Sequence, residues 1–308
     1  MRVPEMTLWA SPSPDARPGH GDDGLVRDFL IADVFTSTPL EGNQLGIFPD
    51  GRGLAAELMQ RAAREMSFSE TVFFLPPDDP AAADARVRIF TPGKELPFAG
   101  HPTLGSAWVL GELLGKDTVT LQLAVGLVPV TLERDPASGE ISFGRMSQPV
   151  PVVRPYGQEP ALRAALGLTG AYGLPVEVYD NGPLHVYVEV PTEADLAAVA
   201  PDMQALGRLE VGTGVFARAG GSWAFRNFVP HAGVPEDPAT GSAAGPLAVH
   251  LARHGRVAFG EEIIIRQGAA MGRPSVLHAR ADGSAGSVGR VLVGGRSVLV
   301  AHGSYRLG

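Results

Sequence analysis

One phrase occurs twice in this chain. Arg88-Ile89-Phe90-Thr91-Pro92 with Pro97 runs into His101-Pro102-Thr103-Leu104-Gly105-Ser106-Ala107, and Arg226-Asn227-Phe228-Val229-Pro230 with Pro235 runs into Asp237-Pro238-Ala239-Thr240-Gly241-Ser242-Ala243. The strand-like part repeats at an offset of 138 residues and the helix-like part at 136, as if a two-residue deletion separated the matching blocks. Such agreement implies duplicated halves that fold alike. Before the shared proline stands histidine in one copy and aspartate in the other, which marks the two positions as twin sites diverged for chemistry.

A length of 308 residues suits two domains. Residues 1–27, rich in Pro, Gly and Asp and without the apolar core of a signal peptide, read as a loose leader on a cytoplasmic protein. The Pro149-Val150-Pro151 stretch divides the remainder into halves 28–149 and 150–308. A net charge of −8 leaves no basic footprint for nucleic acid or anionic lipid. No apolar run approaches the roughly 18 residues of a membrane span, so a small molecule is the expected partner. With no cysteine there is no disulfide, thiolate nucleophile or cysteine metal site.

Short apolar runs bounded by Gly, Pro or polar residues read as strands in both halves, among them 29–35, 72–75, 87–91, 119–123, 128–132 and 141–146, then 186–188, 215–216, 263–265, 291–293 and 298–300. Leu54, Leu58, Met59, Ala62, Ala63 and Met66 recur at helical spacing and predict an amphipathic surface helix. Each half also holds a helix of another kind, 103–114 and 239–253, apolar on every side and therefore buried all round. The reading is an α+β fold of two pseudo-symmetric halves, each a curled, mostly antiparallel sheet wrapped around a buried central helix. Pro246 conflicts with the second helix, since a proline there removes a backbone hydrogen bond.

His101-Pro102 and Asp237-Pro238 read as helix starts, proline being favoured at the first helical position and Asp as a cap. Histidine is a poor cap, so capping alone does not explain the pair. Helix N-termini offer free N–H groups and positive potential to an anion, and Thr240, Gly241 and Ser242 would add donors. Glu70 opens a strand among aromatic and β-branched residues. Turned inward, its carboxyl would rise toward neutral pKa and could accept and return a proton. His250 and His254 have the spacing of two metal ligands on a helix, but no Glu of the zinc-protease motif lies between them. Cationic groups at a helix end before Gly255 explain them, and no metal is expected. Gly212-Thr213-Gly214 precedes a strand, unlike a dinucleotide fingerprint, and no phosphate loop or nucleophile elbow is present. The expected chemistry needs no cofactor.

At these residues the chain resembles the PhzF-like phenazine-biosynthesis isomerase family, whose fold is that of diaminopimelate epimerase. The likeness runs from about Phe29 to the C-terminus. It is carried by Phe35-Thr36-Ser37, Pro39-Leu40-Glu41-Gly42-Asn43, Ser69-Glu70-Thr71, the stretch 88–107 and the stretch 236–247. Asp180-Asn181-Gly182-Pro183, 250–255, Gln267-Gly268 and Gly272-Arg273-Pro274-Ser275 match as well. The resemblance implies an active site between the halves, a homodimer, and a small-molecule carboxylate substrate resembling trans-2,3-dihydro-3-hydroxyanthranilate. It assigns Glu70 as the catalytic acid and base, with His101 and Asp237 supporting it and binding amino and hydroxyl groups, and Asn43, Ser69, Gly100, Gly241 and Ser242 as the substrate-binding set. The epimerase relatives carry a cysteine at each helix mouth; here those places fall around Gly100-His101 and Asp237-Pro238, so two-cysteine epimerisation is excluded. Gln44, where many members have proline, bears on substrate fit. An epimerase or isomerase of another amino or hydroxy acid, or a non-catalytic binding homologue, are the alternatives.

Overall fold

The computed structural model describes Leu8, residues 25–170 and residues 172–308. Most of the expected leader lies outside the described residues, and Val26 and Arg27 already belong to the first strand. The first half runs β1 (Val26–Val34), β2 (Asn43–Phe48), α1 (Ala56–Met66), β3 (Glu70–Leu75), β4 (Ala85–Phe90), β5 (Glu95–Leu96), α2 (Gly100–Leu114), β6 (Thr118–Leu123), β7 (Gly126–Arg134) and β8 (Ile141–Gln148). The chain continues as β9 (Val152–Pro155), α3 (Glu159–Ala165), β10 (Glu177–Asp180), β11 (Leu184–Glu189), α4 (Glu193–Ala198), α5 (Met203–Gly207), β12 (Gly212–Ala219), β13 (Ser222–Val229) and β14 (Val234–Asp237). It ends with α6 (Gly241–Arg253), β15 (Glu262–Gln267), β16 (Ser275–Ser284), β17 (Ser287–Gly295) and β18 (Ser297–Arg306).

Hydrogen bonding gives the halves one strand order. The first reads β18-β1-β2-β3-β4-β6-β7-β8 and the second β9-β10-β11-β12-β13-β15-β16-β17, joined through β8 and β17. The parallel pairs fall at matching places, β2 with β3 and β4 with β6, then β11 with β12 and β13 with β15; the rest are antiparallel. Residues 149–151 link β8 to β9. The last strand, part of the 150–308 segment in sequence, lies against β1 in the first sheet.

Strand alternation separates the layers. Leu45, Ile47, Val72 and Phe74 point inward to a core that surrounds α2 and continues around α6, whereas Phe48 and Phe73 point outward to α1. In the second half Tyr187 and Phe216 point inward, and Val186, Val188 and Val215 outward to α3, α4 and α5. Every residue of α6 from Gly241 to Ala252 is buried, as the all-round apolar pattern requires.

The register corrects one part of the sequence reading. Ile89 pairs with Leu96 and Asn227 with Asp237. Ile89 and Asn227 are equivalent in the repeat, so Leu96 and Asp237 are equivalent too, at an offset of 141 residues. Gly100 and Gly241, which begin the two helices, give the same offset. The 136-residue match of His101-Pro102 with Asp237-Pro238 is therefore not the structural one, and the twin of His101 is Ser242. Three more residues lie between Asn227 and Asp237 than between Ile89 and Leu96, accommodated by a 3-10 turn at Pro230–Ala232. Nor do the two X-Pro pairs cap helices: Ala99 precedes α2 and Thr240 precedes α6, while Asp237 closes β14.

Pro246 sits in an unbroken α6. The carbonyl its missing N–H would have served, that of Ser242, accepts instead from Asn181 Nδ2 at 2.9 Å. The neighbouring carbonyls of Gly241 and Ala243 accept from Gln148 Nε2 (2.8 Å) and the Tyr187 hydroxyl (2.7 Å). Side chains thus take over the backbone bond that the proline removes.

Candidate active site

The two buried helices meet at their N-termini. A Cβ on Gly100 would lie 2.4 Å from the backbone of Gly241 and Ser242, and one on Gly241 would lie 3.0 Å from the backbone of Gly100. Only glycine permits this approach, which brings two positive helix ends to one place. Gly100 and Gly241 serve this contact and are not among the residues that line the adjoining cavity.

That cavity, about 440 Å³, lies between the halves and is walled by Ser69, Glu70, Asp237, Thr240 and Ser242, with Phe98 and Pro97 on one side and Leu184, His185 and Val234 on the other. Its size suits a small organic acid. Glu70 enters it from the first position of β3, where Ser67 in the left-handed conformation (φ 57°) ends α1 and turns the chain inward. The Glu70 side chain is 14% exposed, and its Oε2 lies 3.2 Å from His101 Nδ1, close but not aligned as a hydrogen bond. Burial pushes its carboxyl well above the usual carboxylate range, and the charge of Asp237 adds to the effect.

His101, in the first turn of α2, has its pKa lowered to about 3 by burial; the positive helix end also disfavours an imidazolium. The ring is neutral. Its Nε2 lies 3.3 Å from the Gln44 carbonyl, which only accepts, so Nε2 carries the proton and Nδ1 is bare. Asn43 spends its two N–H groups on Asp237 Oδ1 (2.8 Å) and the Ala239 carbonyl (2.9 Å), leaving only a longer 3.3 Å approach to Nδ1. The bare nitrogen therefore faces Glu70. Both ring nitrogens are turned to protein, Nε2 to the Gln44 carbonyl and Nδ1 to Glu70.

Asp237, unlike Glu70, is held by hydrogen bonds on both oxygens. Its Oδ1 accepts from Ser69 Oγ (3.0 Å) as well as Asn43, and its Oδ2 from Thr240 Oγ1 (2.6 Å). Burial raises its pKa to about 6, with these three hydrogen bonds working against the rise. Thr240 Oγ1 is itself held by Asn227 Nδ2 (3.1 Å) and Gln267 Nε2 (3.0 Å). Both carboxyls at this cavity are thus pushed toward the neutral form, Asp237 less far than its burial alone would take it because three hydrogen bonds favour its ion.

The Gly42-Asn43 turn is locked from the second half. Gly42 has φ 67°, and a Cβ there would strike the Val34 carbonyl at 2.4 Å. Arg273 donates to the carbonyls of Gly42 (2.9 Å) and Glu41 (2.6 Å) and pairs with buried Asp33 at 2.6 Å. Gln44 contributes its backbone carbonyl to His101, and its side chain is not among the cavity-lining residues. Sequence reasoning singled out no role for Asn181, Gln267 or Gln148, which position the α6 mouth, nor for His185. Asn181 and Gln267 stood inside stretches that carried the family likeness, the one signal available for them.

The two halves are not equivalent at the site. Thr71 pairs with Phe90 and Thr213 with Phe228, and these phenylalanines repeat at 138 residues, so the twin of Glu70 is Gly212. At this strand position one half supplies a carboxyl and the other no side chain.

His250 and His254 gather with Glu177, their ligand-type atoms all within 4.8 Å. The Tyr179 hydroxyl stands between, 2.9 Å from both Glu177 and His250 Nδ1, and Arg253 lies 3.3 Å from Glu177. These contacts form a hydrogen-bonded ion-pair network at the end of α6.

Two curled-sheet halves closing on a cavity with a desolvated carboxyl in its wall define an α+β class of fold. Within it the chain belongs to the phenazine biosynthesis-like protein family, whose model matches residues 32–303. It is 46% identical to the trans-2,3-dihydro-3-hydroxyanthranilate isomerase of Pseudomonas chlororaphis, over 92% of this chain and 100% of that one. It is also 46% identical to the enzyme of the same name from Pseudomonas aeruginosa, over 89% and 98%. A crystal structure of the Bacillus anthracis phenazine biosynthesis protein of the PhzF family superposes with a TM-score of 0.77 at 25% identity, covering 91% of this chain and 99% of that one. Among the described residues no helix is long and apolar enough to cross a membrane.

Proposed function

We propose that this protein is an isomerase that moves a proton within trans-2,3-dihydro-3-hydroxyanthranilate or a close relative, by general acid–base chemistry that needs no cofactor. The observation that carries the reading is Glu70, desolvated at the cavity wall between His101 and Asp237. Its raised pKa leaves Glu70 protonated at rest, and the ionised form in equilibrium with it takes the hydrogen from the hydroxyl-bearing ring carbon; the electron pair moves into the conjugated system, and the carboxyl so formed returns the proton to another ring carbon. The enol so formed relaxes to a ketone, and no proton or electron is gained or lost overall. Between the transfers the bare Nδ1 of His101 accepts the hydrogen bond of the protonated carboxyl. Asp237 receives the amino group, and the helix mouth at Ser242, with Ser69, holds the carboxylate.

Gly212 at the twin position of Glu70, with Asp237 of the second half already held by three hydrogen bonds, favours one-carboxyl proton transfer over two-base epimerisation, which needs a free base on each wall. A homodimer and a cytoplasmic location are two further parts of the proposal. The test is turnover of trans-2,3-dihydro-3-hydroxyanthranilate, followed as loss of the diene chromophore, by the wild type and Glu70→Gln. The expected result is turnover that falls about 10²- to 10⁴-fold in the variant. Near-normal turnover by Glu70→Gln would remove the assignment.

A further inference from the structure

The cavity wall that faces Glu70 comes from the second half and carries polar atoms that the protein does not use. In the first half Leu45 pairs with Glu70; in the second His185 pairs with Gly212. Where one half projects a carboxyl, the other has no side chain, and the imidazole of His185 fills the space: a Cβ on Gly212 would lie 2.7 Å from its Nδ1. His185 is 2% exposed and lines the cavity, yet neither ring nitrogen has a hydrogen-bond partner. His231, on the same wall, also leaves its Nδ1 without one. An unpaired buried imidazole costs stability that leucine in its place would not. A polar group from outside the chain accounts for it.

Resting on the isomerase reading above, we propose that His185 is a specificity-determining residue that binds the ring hydroxyl of the substrate on the face opposite Glu70. Stereochemistry supplies the argument. At a tetrahedral ring carbon, a hydrogen aimed at Glu70 leaves the hydroxyl directed to the other face, where the pseudo-symmetry of the halves puts His185. Burial keeps this ring neutral, its pKa lowered to about 3. A neutral imidazole offers one donor and one acceptor, the pair that a hydroxyl also offers. A carboxylate is better served by the two helix ends.

The test uses two saturated amino acids that cannot be isomerised, trans-2-amino-3-hydroxycyclohexanecarboxylate and 2-aminocyclohexanecarboxylate, titrated calorimetrically into the wild type, His185→Leu and His185→Gln. The wild type should prefer the hydroxylated acid by about 10- to 100-fold. His185→Leu should lose that preference while still binding the deoxy acid, and His185→Gln, which keeps a donor and an acceptor, should recover part of it. A preference retained by His185→Leu, or none in the wild type, overturns the proposal. Failure of the wild type to turn over dihydro-hydroxyanthranilate overturns the isomerase reading instead, whatever the saturated acids show.

Discussion

Replacing Asn181 by alanine should expose the debt left by Pro246. The Asn181 amide is 3% exposed and donates to the Ser242 carbonyl at 2.9 Å, the acceptor that lacks an N–H partner because residue 246 is proline. In Asn181→Ala that carbonyl is buried and unpaired, at a cost of about 1–3 kcal/mol. The Asn181 Oδ1, itself unpartnered, is removed at the same time, which trims the loss toward the lower half of that range. In a Pro246→Ala background the restored N–H reaches the Ser242 carbonyl in the normal helical way, so the Asn181 bond becomes redundant. The same Asn181→Ala change should then cost at least about 1 kcal/mol less, a coupling well above the few tenths expected of independent sites. Urea unfolding of the four proteins in this cycle measures it, with equal m-values as the check that the unfolded states match. A coupling indistinguishable from zero would refute the claim that a side chain substitutes for the lost helical bond at the mouth of α6.

Gly100→Ala puts a methyl group 2.4 Å from the Gly241 backbone, where no flexible side chain can yield. It should destabilise by about 3 kcal/mol or more, judged by overpacking costs, and abolish turnover; unchanged urea midpoints would show that the helix ends are not in contact. Stability should also carry a histidine signature. His185 has its pKa lowered to about 3 in the fold, so between pH 6.5 and 3 the unfolded chain binds a proton there that the fold does not, and acidification through that window favours unfolding. His185→Leu removes this uptake and should make the stability loss between pH 6 and pH 5 smaller by about 1 kcal/mol; an unaltered slope would mean that the imidazole is protonated in the fold. Asp237, raised to about 6, works in the other sense. Its contribution is present below its unfolded value and lost as pH rises through about 6, so Asp237→Asn should steepen the acid loss in the same measurements.

Much of this was legible in the residues because it depends on local pattern. Short apolar runs bounded by Gly, Pro or polar residues placed the strands, and uniform greasiness placed α2 and α6 in the interior. The 138-residue repeat gave the equivalence of β4 and β13 that fixes every other register. The helix offset was misread because two X-Pro dipeptides coincide by sequence, while the true offset of 141 depends on a longer turn after β13 that only strand pairing reveals. The state of Glu70 was legible only as a conditional, since its burial is set by tertiary packing and the charge that adds to the effect, that of Asp237, lies 167 positions further along the chain. The asymmetry of Glu70 and Gly212 was hidden for the same reason: no run of identical residues joins β3 to β12. Asn181 lay in a recognisable stretch, but its task follows from a proline 65 positions away.

The central claim is that Glu70 is held as a neutral carboxyl at the wall of a shared cavity. Infrared difference spectroscopy of wild type against Glu70→Gln at pH 7 tests this most directly, through the C=O stretch of a protonated carboxyl. A band present in the wild type and missing in the variant is the predicted result. A pair of ionised-carboxylate bands in its place would show Glu70 charged at rest and contradict the account.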